Sequence, residues 1–97
     1  MGKKLAEELC GVLTKAKTEP EMVTLLEGLM TPQELREVTV RWRLMQHLLA
    51  GNTQREIANE LGISLGKIAR GSRLLQHDLP EFRRLAERIQ KDIENDE

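Results

Sequence analysis

Ninety-seven residues with a formal net charge of −1, one cysteine, one tryptophan, one phenylalanine and no tyrosine leave room for one small domain, 1–97. Cys10 alone excludes an internal disulfide framework or a cysteine-rich zinc site, and no apolar stretch approaches the length that crosses a bilayer. Helix formers dominate, Val and Ile never gather into an alternating run, and the start MGKKLAEEL lacks the apolar core of a signal peptide, so a soluble, cytoplasmic, all-α protein is expected.

The punctuation predicts six helices. The first covers Lys3 to Lys17, with Leu5, Leu9, Val12, Leu13 and Ala16 on one face and Cys10 as a small core residue. Thr18 caps the second, with Pro20 in its first turn, and Gly28 is expected to end it. Thr31-Pro32-Gln33-Glu34 combines an N-cap, a proline at N1 and a glutamate at N3, opening a third helix that Gly51 stops. Its apolar positions, from Leu35 through Trp42 to Ala50, cover more than one face. Such a helix is expected to be buried on most sides, partly by a second subunit. Thr53-Gln54-Arg55-Glu56 is another capping box, opening a short helix that ends at Gly62, and a further helix begins after Ser64. Asp78 is expected to cap the last helix, with Glu81 at N3 and Phe82, Leu85, Ala86, Ile89 and Ile93 on one face. The tail 94–97 is expected to fray.

Charge is unevenly spread. Residues 1–35 carry four lysines and six acidic residues, and residues 74–97 carry four basic and seven acidic residues. Between them, residues 36–73 carry six arginines and one lysine against three glutamates. A basic block between acidic ends can meet phosphates although the total charge is slightly negative.

That block contains TQREIANELGISLGKIARGSRLLQ, residues 53–76. Two short helices that cross closely need a small residue inside the first, which is Ala58. The turn needs a residue at ease with positive φ, which is Gly62. Ile57, Leu61, Ile63 and Ile68 fall where the apolar lock would form. Gly66, Lys67, Ala69, Arg70 and Arg73 then face outward, small residues admitting the helix to a groove and cations meeting phosphates. The pattern is that of a helix-turn-helix. An ordinary helical hairpin can share its Ala-x-x-x-Gly core; the basic block, the paired capping boxes and the small outward residues together favour the helix-turn-helix.

The sequence from about Leu25 to Gln76 resembles the tryptophan repressor family, on LLEGLMTPQEL, the helix that follows and IARGSRLLQ, with Arg70-Gly71-Ser72 the most distinctive run. The resemblance implies a six-helix fold in an intertwined homodimer, with residues 1–51 and 78–93 as dimerisation core. It further implies a repressor of a near-palindromic double-stranded DNA operator, with L-tryptophan as co-repressor. The indole would stack between Arg41 and Arg70, and the amino group would meet the carbonyls of Gly28 and Met30 beside Thr31, with Gly71 and Leu74 completing the set. The DNA face would comprise Gln54, Arg55, Gly66, Lys67, Ala69, Arg70, Arg73 and Gln76. Four departures are visible. Leu74 stands where the family has a serine, Lys67 where it has a threonine and Gly28 where it has a leucine, and the Gly51-Asn52-Thr53 loop is one residue shorter. A regulator of the same fold with no ligand, or another ligand, and a helical protein-interaction module are the alternative readings.

No enzyme is expected, because no nucleophile–base constellation, phosphate-cradling loop or metal-ligand cluster is recognisable. Trp42 reads as packing in the core or between subunits, His47 as a partly buried histidine and His77 as solvated in a connection. Neither histidine has a nearby cysteine partner, so no metal is expected.

Overall fold

The computed structural model describes residues 3–96. Among them are six α-helices and no strand: α1 (Lys3–Leu13), α2 (Glu19–Leu29), α3 (Pro32–Leu49), α4 (Gln54–Leu61), α5 (Leu65–Arg73) and α6 (Pro80–Asn95). A π-helical stretch, Leu74–Asp78, continues α5. The all-α class and the six-helix plan are therefore as the sequence implies. The chain divides into two compact units, Met1–Glu37 and Val38–Glu97.

In the first unit, α1 is shorter than its apolar periodicity suggests. The Thr14 hydroxyl donates to the Gly11 carbonyl at 3.0 Å, and the next amides reach back only three residues, Lys15 to Val12 and Ala16 to Leu13. The helix thus tightens and ends before Lys17. Much of its apolar face is exposed: Leu5, Leu9 and Val12 are 51%, 47% and 45% exposed, and Leu13 is half-buried. Cys10 is exposed too, contrary to the expected core position, because its unit leaves much of this helix exposed.

The start of α2 matches the sequence pattern. Thr18 Oγ1 accepts from the Glu21 amide, and the Glu21 carboxylate accepts from the Lys17 amide. Gly28 does not end the helix. It lies inside α2 with open space where a Cβ would stand, and α2 runs on to Leu29. The stop comes at Met30, which is extended (φ −120°, ψ 148°), and Pro32 disfavours helical backbone at Thr31 after it. Thr31 and Glu34 form the reciprocal box that opens α3: Thr31 Oγ1 accepts from the Glu34 amide, and Glu34 accepts from the Thr31 amide at 2.8 Å.

In the second unit, α3 buries only Leu44 and Met45. Val40, Trp42, Leu48 and Leu49 are half-buried and Val38 is exposed. The expectation of burial on most sides is not met within this chain, because its own helices cover one face of α3. That face meets the core formed by Leu44, Ile57 and Ile68, with Leu48, Ala58, Leu61 and Ile63 packed around it.

The junction before α6 differs from the sequence reading. Asp78 is not the N-cap but the last residue of the π-helical stretch; Leu79 takes the cap position (φ −134°, ψ 76°) with no side-chain bond. Pro80 forces the residue before it out of the helical region, so the cap falls one place later than the Asp-x-x-Glu spacing suggests. The Leu79 amide donates to the Leu74 carbonyl, closing the wide turn. His77 lies in this turn between α5 and α6 and is exposed, as expected. Helix α6 continues to Asn95 instead of fraying from Glu94; Glu97 lies outside the described residues. Buried Ala86 anchors α6, and Gln46 donates to Gln90 at 2.8 Å to tie it to α3.

Candidate functional site

The best-packed part of the second unit is the pair α4 and α5. Thr53 opens α4 with a complete capping box, its Oγ1 accepting from the Glu56 amide while Glu56 reaches back to the Thr53 amide. Gly62 ends α4 in left-handed backbone (φ 65°, ψ 32°), a conformation that costs any residue with a Cβ. Ser64 caps α5 by accepting from the Lys67 amide at 3.2 Å. Ile63 before that cap and Ile68 beyond it both join the core, the arrangement of a hydrophobic staple that fixes the angle between the helices. Ile57 and Ile68 are 0% exposed.

Gly71 is buried for a different reason. A Cβ there would lie 2.8 Å from Leu44 Cδ2 and 3.7 Å from Leu48 Cδ1, so its missing side chain lets α5 approach α3. Two effects oppose each other on substitution. Leaving glycine in a helix gains up to about 1 kcal/mol of propensity, while forcing atoms into a filled core costs about 1–3 kcal/mol. Valine forgoes part of that gain and adds two more methyls, so Gly71→Val is expected to lower the unfolding free energy by about 1–3 kcal/mol. Urea denaturation measures this, and unchanged stability would mean that Leu44 moves aside freely.

The outer side of α5 is basic. Lys67, Arg70 and Arg73 are exposed, as are Gly66 and Ala69, and α5 contains no acidic residue. Lys67 stands in the first turn, where the helix dipole disfavours a cation, so helix stability does not account for it. Every ion pair among the described residues lies on α6: Arg83–Glu87, Arg84–Glu81 and Arg88–Asp92. Among the described residues the cations of α4 and α5 thus make no ion pair. Gln54 and Arg55 are exposed in the first turn of α4. Gln76, in the π-helical stretch, is exposed and donates to Ser72 Oγ at 3.1 Å.

The other residues singled out in the sequence fall in both units. In the first, Gly28 is exposed in α2, Met30 is the half-buried cap after it, and the Thr31 hydroxyl oxygen is engaged in capping α3. In the second, Arg41 is exposed on α3, one helical turn before Leu44, and half-buried Leu74 begins the π-helical stretch.

One positioning contact escaped the sequence reading. Gly51 turns the chain at φ 84°, the Asn52 amide donates to the His47 carbonyl, and Asn52 Nδ2 lies 2.7 Å from His47 Nδ1. This contact draws the short loop back onto the end of α3 immediately before α4. The signal was a polar residue directly after a helix-stopping glycine, within reach of a half-buried histidine in the last turn. Among the described residues no group of three or more His, Cys, Asp or Glu side chains could hold a metal, and no helix is long and apolar enough to cross a membrane.

Two short helices locked by an apolar core, turned at a left-handed glycine and basic on the outer side define a helix-turn-helix, the element that presents a helix to a DNA groove. Comparison with known proteins then places the whole chain, which belongs to the Trp repressor family. The family model described as "Trp repressor protein" matches residues 4–90. A "Trp operon repressor homolog" of Xylella fastidiosa (strain M23) is 36% identical over 80 residues, covering 80% of this chain and 87% of that protein. A protein of the same description from Chlamydia trachomatis serovar L2 is 35% identical over 86 residues, covering 88% and 85%. That of Chlamydia caviae is 33% identical over 89 residues, covering 91% and 85%. No solved structure matches the chain. The family consists of DNA-binding repressors and not of enzymes.

Proposed function

We propose that the chain is a homodimeric transcriptional repressor that binds a near-palindromic double-stranded DNA operator with L-tryptophan as co-repressor. The observation that carries this reading is the α4–α5 pair, a stapled helix-turn-helix with cations outside, in a chain of this family. Membership supports the ligand, since the relatives carry the name "Trp operon repressor homolog". Arg41 and Arg70 suit an aromatic amino acid: a planar guanidinium can stack on an indole and also pair with a carboxylate. Gly28, Met30, Thr31, Gly71 and Leu74 carry over as ligand contacts from the resemblance alone. The homodimer is supported by the exposed apolar residues of α1 and by the half-buried apolar positions of α3, both of which need cover.

Tryptophan acts here through linkage. A ligand that favours the DNA-competent arrangement strengthens operator binding, and the operator must strengthen ligand binding by the same factor. The test is calorimetric titration with L-tryptophan of protein whose dimeric mass has been established by sedimentation, with Arg41→Ala alongside. Saturable binding at one site per subunit, abolished in the variant, is the expected result. No heat up to millimolar tryptophan from folded dimer would replace this reading with a repressor of the same fold that needs another ligand or none.

A further inference from the structure

Leu65 is the first residue of α5 and is 55% exposed, although a large apolar side chain there has no evident structural task. The staple that fixes the start of the helix is made by Ile63 and Ile68, and Ser64 supplies the cap. At 3.6 residues per turn, Leu65 sits beside Ala69, one turn on, both being exposed; Ile68 and Gly71 face the core. Round the helix, Arg73 and then Arg70 stand next to Ala69, and Lys67 lies on the far side from Leu65. A single exposed leucine is ordinary on a protein surface. This one stands at the first residues of the second helix of a helix-turn-helix, the part that meets base edges when the helix enters a major groove.

Leucine has no hydrogen-bonding group, so the only base feature it can select in that groove is an apolar one. The C5 methyl of thymine is that feature; no other base edge of unmodified DNA carries one there. We infer that Leu65, seated beside Ala69, is a specificity-determining residue that packs on a thymine methyl in each half of the bound DNA. The inference rests on the DNA-binding reading above and adds to it a base and an atom.

The test begins with a duplex enriched from a random-sequence pool by the wild-type protein, with L-tryptophan present in one selection and absent in another. Each thymine of that duplex is replaced in turn by uracil, which removes the methyl and keeps the base pair. Affinity is then measured for wild type and for Leu65→Ala, whose exposed position leaves the core intact, as a denaturation curve confirms. The expected result is one thymine per half-site whose replacement weakens wild type about fourfold per methyl and leaves Leu65→Ala unaffected. An adjacent cytosine-to-5-methylcytosine change would not substitute for it. The inference is overturned if the enriched duplex binds but no thymine-to-uracil change matters, or if such a change weakens both proteins equally. A selection that enriches nothing under either condition would remove the DNA-binding reading itself, and this inference with it.

Discussion

Replacing Ile57 by alanine is expected to lower the unfolding free energy by about 2–5 kcal/mol, the range for large-to-small changes at fully buried aliphatic positions. Ile57 is wholly buried, and its cluster with Leu44 and Ile68 joins α3, α4 and α5. Truncation removes transfer free energy and leaves a hole between three helices whose angles are already set by caps and a glycine turn. Those helices cannot easily close on the hole, which places the cost towards the upper part of the range. Small domains are held by only about 5–15 kcal/mol, so a loss of this size consumes a large share of the total. Urea denaturation at one fixed protein concentration is the measurement, since subunit association would shift the midpoint by mass action. A lower midpoint with unchanged slope is the expected pattern. A loss below about 1 kcal/mol would show that the Ile57 pocket collapses or is not the centre of the core.

The second large effect concerns charge. Replacing Lys67, Arg70 and Arg73 together by glutamine is expected to weaken DNA binding by about 10³-fold or more at low salt. In a homodimer the change removes six cations. Each lost phosphate contact should reduce the slope of log affinity against log salt concentration by about one, so the slope falls by about five or six. The three side chains are exposed, make no ion pair among the described residues and stand on a helix that contains no acidic residue, so their removal should leave folding intact. Fluorescence anisotropy with a labelled duplex over a salt series measures both quantities. An unchanged slope would exclude the outer side of α5 as the surface that meets phosphate.

Local chemistry was the legible part of the sequence. The caps at Thr18, Thr31, Thr53 and Ser64 and the left-handed Gly62 each depend on residues within four positions, and each is found as the pattern implies. The lock of the α4–α5 pair was legible because Ile57, Leu61, Ile63 and Ile68 fall on facing sides of two short helices around a fixed turn. Permissive local signals could mislead. Gly28 keeps helical backbone because a glycine permits a left-handed stop without requiring one. Asp78 was outweighed by the proline at position 80, because the restriction on a residue before proline is steric while a cap preference is weak. What depended on distant partners was illegible. The exposure of Cys10 and the one-sided burial of α3 follow from which helices stand nearby, and periodicity alone does not reveal that. Leu65 escaped for a different reason: small size and positive charge were the marks of an outward position on this helix, and a leucine has neither.

The wide turn at Leu74–Asp78 bears on how such a chain can vary over generations. A π-turn takes up one residue more than an α-turn does, closing on the Leu79 amide and the Leu74 carbonyl. A single deletion in this stretch can be absorbed by exchange of the wide turn for an α-turn. Ile68 and Ala86 would keep their seats on either side. The rear of α5 is therefore a place where a lineage can trim the chain by one residue without rebuilding either neighbour.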